Sequence, residues 1–544
     1  MRKVLIIGSG VSGLACAVRC ASLGVHAEIV SPFPSERAQS VMAAGGINAV
    51  TEAREPGDSV AWHIEDTLKG GGSLAGPNAV AGLCGRAGEI IRDLEGIGTV
   101  FSVDGQGRPA RRAFGGQSFR RTYYCGASTG KQIVSALVME ARRFEAAGLI
   151  RRRLWSCFHS ALIRDGACYG ALLFDEGAGG LEAVRADAVV MATGGQNALF
   201  GKTTGSTQCD GYAAGRLFMQ GAALKNLEFI QYHPTTLETA QKRMLISEAA
   251  RGEGGRLFYE QDGRRVYFLE DKYGPRGNLM TRDVISREIE AAKRPVFLDV
   301  TFLDRKVIDE RLPEVRDLCM KYRNIDISRE PIPVEPSVHF FMGGLAVRMN
   351  HETNLRNLFA VGECASMYHG ANRLGGNSLL AAIYGGNVAA EAVAGRDAEA
   401  RRPDFGRVLD REREHLRRRQ DTNSPFPVMY IRDMLAETMQ KYLGIVRSEE
   451  KLVEGIRDVD YYLSVAERIH YDSSVMPYFN YSLTGILTLA RATLACAKAR
   501  RESRGAHYRS DFPGADERFG YATLISFDDG EYRVRLDEEG EYEN

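Results

Sequence analysis

Residues 369–380 read HGANRLGGNSLL, with one arginine, Arg373, set among small residues. Arginine presents a planar fork of donors matched to a carboxylate or phosphate, and small neighbours let a ligand approach the backbone. The stretch is therefore suited to gripping an anion. A second stretch of the same kind lies at the start of the chain, where Gly8, Gly10 and Gly13 form GxGxxG after the apolar run KVLII. There the first glycine makes a turn, the second lets a pyrophosphate approach, and the third packs helix on strand. The opening helix then points its N-terminus at the phosphates. The bland alternative is a glycine turn with no ligand. A dinucleotide site of this type normally ends its second strand in an acidic residue that holds a ribose. Here HAEIVS ends at Ser31 and Glu28 lies inside the strand, which weakens an NAD assignment.

Elements must position these residues, and the chain supplies them in alternation. KVLIIGSGVSGLACAVRCASLG reads as strand, turn and helix, and VHAEIVS, ADAVVMATGG and NLFAVGECA read as further strands. Strands alternating with helices imply a parallel α/β sheet. The predicted fold is α/β: a Rossmann-like dinucleotide domain from 1–235 and 339–402, an inserted α+β capping domain at 236–338, a helical domain at 403–502 and a tail at 503–544. The helical domain rests on 3.6-residue periodicity in RVLDREREHLRRRQ, VMYIRDMLAETMQKYL and SEEKLVEGIRDVDYYLSVAERI, with TNSPFP breaking the first from the second.

Composition sets limits. A chain of 544 residues suggests several domains, and zero net charge gives no bulk attraction to nucleic acid or an anionic membrane, so any anion site is local. The ten cysteines form no CxxC pair and no cluster with histidine, which argues against a metal or iron–sulfur site and against a disulfide framework. That pattern points to a reducing, cytoplasmic compartment. The N-terminal apolar run carries the glycine motif and is read as a strand rather than a signal peptide. The apolar stretch 481–499 carries Arg491 and is read as a buried or amphipathic helix rather than a membrane span.

Taken together and in order, GSGVSGLACA, SVMAAGGINA, FGGQSFRRTYYCGASTG, ATGG, IQYHPTTL, ISEAARGEGG, TRDVISREI, HFFMGGL, LFAVGECA, HGANRLGGNSLL and ESRGAHYRSDFP resemble the flavoprotein subunits of succinate dehydrogenase and fumarate reductase and the related L-aspartate oxidases. The resemblance covers nearly the whole chain. It implies FAD as cofactor, and Ser31 at the end of the second strand is then the family's usual residue. By position it implies that Gly8, Gly10 and Gly13 hold the pyrophosphate, and that Ser40, Gly45 and Gly46 run past the flavin ring. Asp210 stands in QCDG where relatives have Thr-Gly-Asp-Gly, so two neighbours differ. Glu363 would hold the ribityl hydroxyls, and Ser378 and Leu379 would meet the ring at a helix N-terminus.

The resemblance also names the anion. Arg373 and His339 would grip one carboxylate of a four-carbon dicarboxylate, and His233 and Ser247 the other. Arg282 would be the proton donor, with Glu248 and Arg251 as its relay. The plain reading is a structural histidine pair and a structural ion-pair network. Phe114, in RRAFGGQS, separates the succinate and fumarate enzymes from aspartate oxidases, which have a glutamate there to receive an ammonium. A non-catalytic flavin-binding scaffold would have no need of this residue set. The resemblance further implies an iron–sulfur subunit and a membrane-anchor subunit as partners, placing the chain at the cytoplasmic face of the inner membrane. Relatives in membrane complexes attach the flavin 8-methyl to a histidine; Gln39 occupies that position, so non-covalent FAD is expected.

Overall fold

Lys3–Ile7 is the middle strand of a five-stranded, wholly parallel sheet in a computed structural model that describes residues 2–52, 55–126, 128–396, 403–420, 426–466 and 468–542. The strands run in the order Leu358–Ala360, Ala188–Met191, Lys3–Ile7, His26–Ser31 and Ile150–Leu154. The four apolar strands expected from the sequence all enter this sheet. The fifth, IRRRL, sits at its edge, where Arg152 pairs with Glu145 and Arg153 lies 3.9 Å from Glu28. Glu28 is inside its strand and also pairs with Lys3 at 2.7 Å, so it faces away from any ribose site.

The turn after the first strand requires its glycines. Gly8 has φ +115°, and a Cβ there would come within 2.2 Å of the Ala192 carbonyl oxygen. A Cβ on Gly13 would meet the Gly8 carbonyl oxygen at 2.1 Å, so helix Val11–Ser22 can lie against the strand only as glycine. Helix Asn377–Ala394 packs beside it and completes the layer.

A second core lies between Leu237 and Val334, built on an antiparallel sheet in the order Arg243–Leu245, Ile230–Glu238, Ile332–Phe341, Val296–Asp299, Arg256–Gln261 and Arg264–Val266. The chain enters and leaves this unit on neighbouring strands, Ile230–Glu238 and Ile332–Phe341, which pair with each other. That ribbon is irregular in two places. Gln231 pairs with Phe340 and Tyr232 with Val338, which makes His339 an extra residue on its strand. A second shift falls between His233 and Thr236, at Pro234, which has no N–H to lose.

Beyond 403 the chain is helical: Gly406–Gln420, Val428–Tyr442, Glu449–Ala466, Pro477–Tyr481 and Leu483–Ala499. The expected break at 422–427 and boundary at 402 fall largely outside the described residues. Leu483–Ala499 is buried against Tyr212–Met219 and Glu449–Ala466. Among the described residues no helix is long and apolar enough to cross a membrane. The tail returns as a hairpin, Thr523–Asp528 and Glu531–Leu536, on a sheet edge next to Leu224–Lys225. All ten cysteines are buried and free.

Candidate active site

One cavity of about 800 Å³ runs from the glycine turn to the interface with the inserted unit. Gly8, Gly10, Ser31, Gln39, Ser40, Gly45, Gly46, Asp210, Glu363, Ser378 and Leu379 line its nucleotide arm, and Phe114, Arg282, His339 and Arg373 line its inner end. Gly13 lies behind the wall, in its packing role. The walls fit a flavin dinucleotide. Gln39 Oε1 and Asp210 Oδ2 are buried without a hydrogen-bond partner among the described residues, and both residues stand on the wall. Ser378 and Leu379 belong to the first turn of a helix that no side chain caps, so its N–H groups remain available to an anionic ring edge. Glu363 accepts from Phe341 N–H at 3.1 Å, and burial pushes its carboxyl up to about 7.

The helical region reaches this cavity too. Tyr478 lines it and donates to Asp210 Oδ1 at 2.8 Å, while Arg432 lies 3.6 Å from Asp210 Oδ2. Arg112 holds the flavin-side loop from behind, with Nε and Nη2 donating to the Gly45 carbonyl and Nη2 also to that of Ala44. Neither contact was foreseen, because each joins segments far apart in sequence.

At the inner end Arg282, the first residue of helix Arg282–Ala292, donates to Glu248 Oε2 at 2.8 Å from Nη2. Glu248 Oε1 accepts from Arg251 at 3.1 Å, and Arg251 donates onward to the Asn278 carbonyl at 2.7 Å. Burial opposes charge on Glu248, but Arg282 and Arg251 outweigh it and hold its carboxyl down at about 2. Burial lowers Arg251, which makes its proton easier to release.

Arg373 stacks over Phe340 at 4.1 Å, and burial followed by the Arg282 charge lowers it to about 9. Between Arg282 and Arg373 stands Gln231, whose Oε1 accepts from both at 2.9 Å and whose Nε2 donates to Asn372 Oδ1 and the Arg373 carbonyl. Gln231 was missed as a site residue, although it lies two positions before His233 on one strand, a spacing that repeats a face. His233 and His339 meet edge to face at 5.3 Å. Both are held well below the ordinary histidine range by burial first and then by the nearby arginines, so both are neutral. Thr204 Oγ1 lies 2.8 Å from His339 Nδ1.

Phe114 is buried between the two glycine loops, with Gly45 and Gly375 too small to crowd it. Ser247 stands apart: its hydroxyl accepts from Ala249 N–H at 3.3 Å, and it is not on the cavity wall. His233 and Glu248 lie just behind the wall, against His339 and Arg282, and Arg251 lies one step further back, on Glu248.

Comparisons with known proteins identify the chain's relatives. A profile for the FAD binding domain matches residues 3–379, and one for the fumarate reductase flavoprotein C-terminus matches 432–540. The succinate dehydrogenase flavoprotein subunit of Bacillus subtilis is 36% identical over 534 residues, covering 94% of this chain and 91% of the relative. The 8-methylmenaquinol:fumarate reductase flavoprotein subunit of Wolinella succinogenes is 33% identical over 547 residues, covering 94% and 86%. A solved E. coli quinol fumarate reductase FrdA superposes with a TM-score of 0.90 at 29% identity, covering 98% of this chain and 97% of that one. With a nucleotide cradle at one end of its cavity and a cluster of guanidiniums at the other, this FAD-dependent oxidoreductase belongs to the succinate dehydrogenase and fumarate reductase flavoprotein subunit family.

Proposed function

We propose that the chain interconverts succinate and fumarate and exchanges electrons with an iron–sulfur partner, which a membrane-anchor subunit would hold at the cytoplasmic face of the inner membrane. The observation that carries the reading is the Arg282–Gln231–Arg373 bridge beside His339, a buried and strongly cationic end to a flavin-sized cavity. FAD, held by the cradle without a covalent bond at Gln39, supplies the hydride exchange with one substrate carbon when bound.

The protein's own residues do the rest. Arg373 and His339 grip one carboxylate while His233, just behind the wall, backs the other end, which fixes the central carbons in a near-attack position. Arg282 then delivers a proton from its guanidinium to the second carbon. That carbon, once hydride has arrived at its neighbour, has the basicity of an enolate dianion, so even so weak an acid can protonate it. As Arg282 loses its charge, the field holding Glu248 ionised weakens, and a proton passes from Arg251 through Glu248 to Arg282. Succinate oxidation runs the same path backwards. The unit at 236–338 acts as a lid that brings Arg282 over the substrate and excludes water.

An anaerobic assay of the flavin-loaded chain tests this, with succinate plus dye, fumarate plus reduced dye, and aspartate plus oxygen. Turnover in the first two is expected. Faster oxidation of aspartate would instead make the chain an L-aspartate oxidase, although the buried Phe114 offers no counter-charge to an ammonium. Arg282→Lys should lose all but a few per cent of fumarate reduction while keeping its flavin; a variant that keeps more removes Arg282 from the mechanism.

A further inference from the structure

A neutral imidazole carries one N–H, and the nitrogen that bears it decides whether His339 attracts or repels a carboxylate. His339 lines the cavity, and among the described residues its Nδ1 meets Thr204 Oγ1 at 2.8 Å while no group bonds its Nε2. The Thr204 hydroxyl has one proton and two acceptors in reach, His339 Nδ1 and the Val338 carbonyl at 3.1 Å. That carbonyl already accepts from Thr204's own N–H at 3.2 Å. That oxygen could accept from both, but His339 Nδ1 is the nearer acceptor, and a hydroxyl that donates to it leaves the imidazole proton on Nε2, facing the cavity. In the opposite arrangement a bare Nε2 lone pair would face the anion.

We infer that Thr204 is a positioning residue for substrate binding, setting the His339 tautomer so that Nε2–H is presented to the carboxylate that Arg373 also grips. The inference rests on the dicarboxylate reading above and names a residue that reading does not use. Thr204 lies in an irregular loop of the dinucleotide domain, whereas His339 is the extra residue of the bulged ribbon. The bulge aims the ring into the cavity and Thr204 fixes which nitrogen arrives there.

Thr204→Val is a clean probe, because it keeps the shape and the N–H bond to Val338 and leaves only His339 Nδ1 without a partner. The probe is malonate, a dicarboxylate that does not react, titrated into the flavin-loaded chain and followed by the flavin spectrum. Thr204→Val should weaken malonate on the order of tenfold. Thr204→Ser should restore affinity to within about twofold, since it keeps the hydroxyl. In a His339→Ala background Thr204→Val should change nothing further. Wild-type affinity in Thr204→Val, a Thr204→Ser as weak as Thr204→Val, or additive losses with His339→Ala would each overturn the inference and leave the dicarboxylate reading standing. A wild-type chain that neither binds malonate nor turns over succinate or fumarate would overturn both.

Discussion

Arg282 Nη1 and Arg373 Nη2 meet at a single acceptor, the Oε1 of Gln231, each at 2.9 Å. A neutral carboxamide holds two like charges in one buried place without cancelling either, so both remain available to a dianion.

Gln231→Glu should therefore hold the same two guanidiniums and occupy their charge. We expect kcat/KM for fumarate to fall on the order of a hundredfold, mostly through KM, with flavin content unchanged. Steady-state kinetics at equal flavin occupancy check this, and an unchanged KM would mean that the bridge does not form part of the substrate site.

Phe114→Glu places a carboxylate between the glycine loops. It should repel a dicarboxylate and offer a partner to an ammonium, so succinate and fumarate turnover should drop at least tenfold while aspartate binding improves. Competition of aspartate against malonate measures the second effect. A variant with unaltered discrimination would show that Phe114 does not face the substrate.

Gln39 offers a carboxamide, a poor nucleophile, to the flavin loop. Acid precipitation of the holoprotein should leave yellow flavin in the supernatant and no fluorescent band on a denaturing gel. The potential should be lower than in relatives with a histidyl bond, which favours fumarate reduction over succinate oxidation with matched dyes. A fluorescent polypeptide band would overturn the first point, and faster succinate oxidation the second.

Glu363 makes a prediction about pH. Burial raises its carboxyl from 4.5 to about 7 in the flavin-free protein. Between those values the folded chain holds a proton that the unfolded chain has released, so the contribution is full below pH 4.5 and lost as pH rises through 7. The melting temperature of flavin-stripped wild type should fall relative to that of Glu363→Gln as pH rises from 4.5 to 8. A difference that stays constant from pH 4.5 to 8 would mean that Glu363 titrates as an ordinary carboxyl.

Much of this molecule can be read locally. The GxGxxG turn, four apolar strands and an arginine among glycines each announce themselves within a dozen residues, because their roles depend on backbone shape and burial. The edge strand Ile150–Leu154 does not, since a run of three arginines, two of them paired with neighbouring carboxylates, hides its β character. The aim of His339 is not local either. It follows from a bulge that exists only once residues 230–238 pair with a strand about a hundred positions later. Thr204, Gln231, Arg112 and Tyr478 share that obstacle: each matters through a partner on a distant segment, so its type alone carries no signal.

The paired strands Ile230–Glu238 and Ile332–Phe341 are the chain's two crossings between units, and they also carry Gln231, His233 and His339. An axle moves least where the lever arm is shortest. In the proposed closure the residues on the crossing ribbon keep their place, and Arg282, at the head of a helix of the inserted unit, is the group that turns against them, on its 2.9 Å contact with Gln231. Under that reading grip and proton delivery sit on the two sides of one hinge.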